Sequence, residues 1–373
     1  MRVGVNVALL SSSSTGVGYY VLSLVRALPR VDPSIEWVFL GGGPELRDIA
    51  GSNAEIVAAE VRSGFRRTVW EQCVLPRLAL QTRLDILHCP NYSRPVWCEI
   101  PIINTIHDLS CYAPQPFFSA AKVAYARSMT RVAVRKSIRI MANSEFTRQE
   151  ILRRFPIDPG RVAVVHHAHA IDPGLNDRQP DRQSPFLLFV GTLEERKNIV
   201  TLIRAFSRLC SGPEIKHRLV LAGGPGFGWP KIQQAIRASP FRERIVVVGY
   251  VSREDILELY RSADVFVHPS LYEGFGVPLL EAMACGAPVV CSDIEPFREV
   301  AGDAAVFFDT RSAESLANAV RRVLESSCLQ AAMQQKGLDR ARQFSWDQCA
   351  RGHCDVYRGV LSMRMPKRPN SVG

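Results

Sequence analysis

Two acids, Glu273 and Glu281, sit in the stretch LYEGFGVPLLEAMACGAPVV (271–290), which is otherwise apolar and punctuated by glycine. Burying a carboxylate without a partner costs several kcal/mol. Each acid therefore needs either a solvent-facing helix phase or something polar to pair with. Pro278 suits an early helix position, Gly286 a left-handed cap after Cys285, and Pro288 a stop beyond it. This places Glu273 in a loop and Glu281 about one turn into a helix. Gly274 and Gly276 would bring backbone amides to the same mouth, where a carboxylate could accept two hydrogen bonds from a ribose diol. A second constellation is GTLEERKN (191–198), in which Arg196 and Lys197 precede a helix starting near Ile199. Two cations beside a helix N-terminus suit a doubly charged phosphate group.

Other loops are less pointed. His107, followed by Asp108, ends the apolar run PIINTI. It reads either as a hydrogen-bonded loop histidine or as a polar group touching substrate. Gly16 and Gly18 precede a helix expected near Tyr19, where a plain tight turn competes with an anion-binding turn. The third glycine of a dinucleotide fingerprint is missing there, as is an acid to clamp a ribose. In VGYVSRED (248–255), Ser252 with Glu254 or Asp255 reads as a helix cap, and the backbone at Tyr250 and Val251 could meet a flat base. Cys349, His353 and Cys354 have the wrong spacing for a standard zinc site.

The elements that must carry these loops are short apolar strands alternating with helix-length segments. Strands are expected at 2–8, 37–40, 86–88, 102–106, 138–142 and 162–165, and again at 186–190, 218–222, 245–248, 265–268, 288–291 and 305–308. Runs this apolar belong to parallel sheets covered on both faces, whose ligands bind beyond the carboxyl ends of strands. A length of 373 residues favours two domains. The expected division is a Rossmann-like domain over 1–172 and a linker over 173–184. A second Rossmann-like domain over 185–345, a helix over 346–363 returning to the first domain, and a disordered tail over 364–373 complete it. No run is long and apolar enough to cross a membrane. Ten cysteines without a C-x-x-C suit a reducing cytoplasm. The net charge of +10 suits anionic small molecules, membrane surfaces or nucleic acid without choosing among them.

Taken together, EGFGVPLLE, GTLEERKN, GYVSRED and PVVCSDIEPFREVAGDAAVFFD resemble glycosyltransferase family 4, the retaining GT-B enzymes, in motif order and spacing. The resemblance implies an α/β GT-B fold of two doubly wound parallel-sheet domains facing a central cleft, the acceptor-side domain over 1–172 and the nucleotide-sugar-binding domain over 185–345, and hexosyl transfer without a metal or other cofactor. It gives Arg196 and Lys197 to the donor diphosphate, Glu281 to ribose, and Glu273 with the backbone of Phe275 and Gly276 to the donor sugar. Val251 would meet the base, the helix start at Val277 the departing diphosphate, and His107 the sugar near the reacting carbon. Gly16 and Gly18 would approach the phosphate and acceptor. GDP-mannose is the favoured donor, and the acceptor a saccharide or lipid-linked saccharide of bacterial polysaccharide, lipopolysaccharide or glycolipid synthesis. A UDP-hexose transferase and a hydrolysing UDP-sugar epimerase are the alternatives. Where relatives often carry an Asn-Gly-Val-Asp-like segment, this chain has VVHHAHAID, in which His166, His167 and His169 read as a polar hinge ahead of a metal site. From Leu109 to Ser144 there is no acid, while Lys122, Arg127, Arg131, Arg135, Lys136 and Arg139 occur. This basic stretch, 122–139, is either a solvated helix face or a patch for anionic lipid at the inner face of the cell membrane. No nucleic-acid partner is expected, since a basic binding protein would leave the convergence of Glu273, Glu281, Arg196 and Lys197 unexplained.

Overall fold

The computed structural model describes residues 1–10, 16–43, 46, 49, 53–59, 61, 64–113, 117–171, 184–212 and 215–364. The expected linker and tail lie outside these residues, apart from Ser184 and Arg364. Two compact units emerge. The first comprises residues 1–109, 121–167 and 346–373, and the second residues 110–120 and 168–345.

The first unit is built on β1 (Arg2–Asn6), β2 (Glu36–Gly42), β3 (Ala54–Ala58), β4 (Ile86–Cys89), β5 (Ile102–Ile106), β6 (Arg139–Ala142) and β7 (Val162–Val164). Every pairing is parallel, in the order β3-β2-β1-β4-β5-β6-β7. Helices α1 (Gly16–Val31), α2 (Phe65–Cys73), α3 (Leu75–Gln81), α4 (Ala120–Lys136) and α5 (Glu145–Arg154) connect the strands. Helix α1 begins at Gly16, three residues before the expected start, so Gly16 and Gly18 lie in its first turn and do not form a loop ahead of it. Gly18 is buried there and Gly16 exposed.

The second unit carries β8 (Phe186–Val190), β9 (Arg218–Ala222), β10 (Ile245–Gly249), β11 (Val265–His268), β12 (Val289–Ser292) and β13 (Ala305–Phe308), all parallel, in the order β10-β9-β8-β11-β12-β13. Its helices are α6 (Ile199–Cys210), α7 (Trp229–Ala238), α8 (Arg253–Ser262), α9 (Val277–Ala284), α10 (Glu295–Ala301), α11 (Ala313–Leu324) and α12 (Ser327–Ala341). Both sheets reverse winding direction once, between β1 and β4 in the first unit and between β8 and β11 in the second. In doubly wound sheets that reversal opens a crevice at the strands' carboxyl ends.

The last helix, α13 (Trp346–Arg364), belongs to the first unit. There Cys349, Ala350, Cys354, Tyr357 and Val360 pack into the same core as Val3, Val5, Tyr20, Leu24 and Leu28. Beyond the expected strands the structure adds β3, half exposed along its length, at the sheet edge. No helix among the described residues is long and apolar enough to cross a membrane.

Candidate active site

Because β8 and β11 are neighbours, the loops that follow them meet. Leu271 N–H donates to Arg196 O (2.9 Å) between them, and further backbone bonds tie in the exits of β9 and β10: Gly191 N–H donates to Ala222 O (2.9 Å), Leu193 N–H to Gly224 O (2.8 Å) and Gly223 N–H to Gly249 O (2.8 Å). Gly223, at φ +151°, admits no side chain, since a Cβ would stand 2.0 Å from the Gly191 carbonyl oxygen. The sequence between β8 and α6 makes one tight 3-10 turn, Glu195–Lys197, that holds both cations.

Arg196 and Lys197 do not stand apart from Glu273, as the separate roles of diphosphate and sugar ligand would suggest. Arg196 Nη1–H donates to Glu273 Oε2 (2.7 Å) and to the Tyr272 carbonyl (3.0 Å), and its Nε–H donates to Glu194 Oε1 (2.9 Å). Lys197 Nζ donates to Glu273 Oε1, which also accepts from Ser270 Oγ–H (2.9 Å). Lys197, Glu273 and Glu194 are all buried. Burial alone would raise the Glu273 pKa, but Arg196 and Lys197 prevail and hold it well below the usual carboxylate range. Lys197 is drawn below its ordinary value by burial, against the pull of Glu273. Beneath them His268 is pushed down to about 4 by burial and stays neutral. Glu273 is thus an ionised acceptor at neutral pH. It is suited to hydrogen-bonding hydroxyl groups and unsuited to giving up a proton.

Glu281 answers the question its sequence context raises: its partners are internal. Arg253 Nη1–H, from the first residue of α8, donates to Oε1 (2.6 Å), and the hydroxyl of buried Tyr260 donates to Oε2 (3.2 Å). Burial, then Glu281 itself, raises the Tyr260 pKa well above its ordinary value, so this hydroxyl keeps its proton. Neither partner was expected from sequence. The signal available was a tyrosine and an arginine one heptad apart on a helix beginning just after Val251. Ser252 caps that helix, accepting from Asp255 N–H (3.1 Å). Helix α9, by contrast, has no capping side chain and starts from Gly276 at φ +114°, where a Cβ would come within 2.9 Å of Phe297. Pro278 has no amide hydrogen and Leu279 N–H donates to the Gly276 carbonyl (3.0 Å), so within the first turn it is the Val277 amide that can meet an anion. Val251 and Val277 pack against the core of the unit, and Phe275 is buried edge-on to Phe344, with ring centroids 5.9 Å apart.

His107 lies in the first unit, just past β5. Its Nε2–H donates to the Pro90 carbonyl (2.9 Å), which leaves Nδ1 to accept from His167 Nε2–H (3.1 Å). Both ring nitrogens are engaged within that unit, so a substrate contact through this ring needs one of them exchanged. Burial keeps both rings neutral by lowering their pKa values. A larger neutral network adjoins them. His353 Nδ1–H donates to Cys349 O (2.8 Å), leaving Nε2 to accept from the Tyr20 hydroxyl (2.8 Å). The Tyr20 oxygen then accepts from Thr105 Oγ–H (3.3 Å), the Thr105 oxygen from His88 Nε2–H (2.8 Å), and His88 Nδ1 from the Tyr357 hydroxyl (2.8 Å). The expected polar hinge divides between the units. His167 stacks on Tyr20, 4.5 Å between centroids, whereas His169 Nε2–H donates to the Ala341 carbonyl (3.0 Å) in the second unit. Among the described residues no three His, Cys, Asp or Glu side chains cluster as metal ligands would.

With that geometry in place, the likeness to known proteins is informative. Residues 175–340 match the family model for glycosyl transferases group 1, and residues 14–172 match that for glycosyltransferase family 4. The chain is 30% identical to the O-antigen chain mannosyltransferase B of Escherichia coli, over 92% of its own length and 96% of the relative's. A D-inositol 3-phosphate glycosyltransferase of Corynebacterium aurimucosum is 22% identical over 95% of this chain and 94% of its own. Among solved structures, the sucrose-phosphate synthase of Thermosynechococcus elongatus superposes with a TM-score of 0.79 at 20% identity, covering 97% of this chain and 100% of that one. Anabaena HepE in complex with UDP-glucose superposes with a TM-score of 0.73 at 16% identity, covering 96% and 100%. The fold is thus GT-B, and the chain belongs to glycosyltransferase family 4 as a hexosyltransferase.

Proposed function

We propose that the protein is a retaining, metal-independent mannosyltransferase that moves mannose from GDP-mannose to a saccharide or lipid-linked saccharide of a bacterial surface polysaccharide. The observation that carries the donor site is the meeting of Arg196, Lys197 and Glu273 at the β8/β11 reversal, beside the uncapped start of α9. Mannose is favoured by the relative at 30% identity, named for mannosyl transfer to an O-antigen chain.

In this reading the donor's diphosphate competes with Glu194 and Glu273 for Arg196 and Lys197, and meets the Val277 amide at the start of α9. Leaving-group departure places growing negative charge there, and preorganised donors in a dry site stabilise it strongly. Glu273, kept ionised, accepts from sugar hydroxyls and offsets positive charge developing on the ring. Glu281 accepts the ribose diol at Oε1 in place of Arg253, while Tyr260 keeps the carboxylate oriented from behind. Attack from the face that the diphosphate leaves preserves the configuration.

A thermal-shift screen of nucleotide sugars without added metal tests this. A ligand that binds only the folded state raises the midpoint by mass action. GDP and GDP-mannose are expected to raise it, and Glu281→Ala to abolish the rise. A response to UDP alone would replace the donor, and a response to no nucleotide would reject the reading.

A further inference from the structure

In the second unit the crossovers from β8 to β9 and from β9 to β10 run the same way, so α6 and α7 lie side by side against the sheet. Arg204, Ser207 and Arg208 on α6 and Lys231, Gln234 and Ala238 on α7 line an open groove of about 950 Å³ between them. Ser207 Oγ and Ser239 Oγ, 2.8 Å apart, tie α6 to the residue that follows α7. Neither helix contains an acid. Arg204 and Arg208 are exposed, stand one turn apart, and pair with no acid among the described residues. Lys231 has one partner: its Nζ donates to Glu195 Oε1 (2.6 Å). Glu195 opens the 3-10 turn that carries Arg196 and Lys197, and its N–H donates to the Phe227 carbonyl (2.9 Å). Its side chain lies over Gly228, just ahead of α7, where a Cβ would stand 2.2 Å from Glu195 Cγ. The groove and the turn that holds the two donor-site cations are thus joined by one ion pair.

Like charges one turn apart on a helix repel, and Lys231 brings a third cation to the same concavity. A solvated helix face would point such groups outward or mix them with acids. We propose that the groove binds a small phosphorylated molecule carrying at least two negative charges. Two guanidinium forks and an ammonium match phosphate oxygens, while Val200, Ile203, Ala235 and Pro240 offer apolar surface to the body of the ligand. The volume lies within the range of small-molecule sites, roughly 300–1,000 Å³. The groove shares no side chain with the candidate active site. Its occupancy is felt there through Lys231. An anion that engages this ammonium draws it from Glu195, and the uncompensated carboxylate then stands next in sequence to the cations proposed to hold the donor diphosphate. The ligand therefore weakens donor binding, and by linkage the donor weakens the ligand equally. The groove stands independently of the donor reading; the coupling alone rests on it.

Calorimetric titration of inorganic pyrophosphate into the full chain, free and saturated with GDP, tests the proposal. GDP fills the donor site, so that pyrophosphate then reads the groove alone. One equivalent is expected to bind, and Arg204→Gln with Arg208→Gln should weaken it roughly tenfold or more. Arg237→Gln, an exposed cation of α7 outside the groove, should leave it unchanged. All three side chains are exposed, and thermal midpoints check that the variants fold. In the converse titration pyrophosphate should weaken GDP binding and level off at about fivefold, whereas direct competition would not level off. Glu195→Gln should remove this effect while pyrophosphate still binds. Absence of binding to the GDP-loaded chain would overturn the proposal. So would binding indifferent to the Arg204 and Arg208 substitutions, or weakened as much by Arg237→Gln. Capture of an oligoglutamate peptide but not pyrophosphate would assign the groove to an acidic protein segment instead. If GDP itself fails to bind, the donor reading falls, and the titration of the free chain still decides the groove through Arg204 and Arg208.

Discussion

Each unit buries a polar network beside its parallel sheet, and the two networks are made of opposite materials. In the second unit it is ionic: Arg196 and Lys197 stand against Glu273 and Glu194 at the rim of the sheet. In the first it is neutral: Tyr357, His88, Thr105, Tyr20 and His353 pass hydrogen bonds along a line that ends on a backbone carbonyl. A buried ion pair is held in balance, with desolvation nearly cancelling attraction. An arriving diphosphate can therefore compete for its cations. A satisfied neutral network has no such alternative partner, and its role is to join α1, β4, β5 and α13. On the proposed reading the ionic network serves exchange, while the neutral one fixes position.

The largest effect that could break this contrast comes from removing one member of the ionic network. Glu273→Gln leaves buried Lys197 and partly buried Arg196 facing an amide and should cost the second unit ~3 kcal/mol, measured by urea denaturation followed by circular dichroism. A loss under about 1 kcal/mol would mean that Glu194 alone compensates both cations.

A smaller effect probes the neutral network. Tyr20→Phe removes a hydroxyl that both donates and accepts within the core, and should cost ~2 kcal/mol. The same network sets a pH response. Burial pushes the folded-state pKa of His353 down to about 4, whereas in the unfolded chain it titrates near ~6.5. As pH falls through that window the unfolded chain takes up a proton that the folded one refuses, so stability is complete above it and declines within it. Glu273 behaves differently: with its pKa depressed, its contribution is complete above the ordinary carboxylate value and is lost only as pH falls below it. His268, also near 4, gives the second unit a share of the histidine response. Of the five tryptophans only Trp229 lies in the second unit. In a Trp229→Phe background, emission therefore reports the first unit, and His353→Gln should lessen its decline between pH 6.5 and 4, the remainder belonging to His88, His107 and His167, which burial also lowers.

The smallest effect sharpens the idea of exchange. Arg253 is one-third exposed and pairs with Glu281 where ribose is proposed to bind. Arg253→Ala should change stability by less than ~1 kcal/mol and tighten GDP binding a few-fold by freeing Oε1, as titration calorimetry can read. Weaker binding would make Arg253 a ligand for the nucleotide itself.

Much of the fold was legible because strands buried on both faces leave uninterrupted apolar runs, as in FLLFV, VFVH and IINTI. Strand β3 escaped notice because AEIVA is short, half exposed and carries Glu55 within it. Around the candidate site the side-chain types and their loops could be read, since glycine turns and paired charges mark themselves. The pairing among them could not, because it depends on β8 and β11 becoming neighbours across 75 residues. His88 gave a usable hint that was not taken: a histidine between Leu87 and Cys89 in a buried strand must find hydrogen-bond partners. His353 was weighed only as a metal ligand, though its distance in sequence from His88 and Tyr20 hides their meeting.

The placement of α13 also sets an order of assembly. The core of the first unit includes Ala350, Cys354, Tyr357 and Val360, residues that a ribosome adds only after the entire second unit has been synthesised. Domains ordinarily fold in the order in which they emerge, yet here the leading unit must wait, with Tyr20 and His88 lacking their partners, until the trailing one is complete. A nascent chain stalled before Trp346 will expose that unfinished core to chaperones, however well its second half has folded.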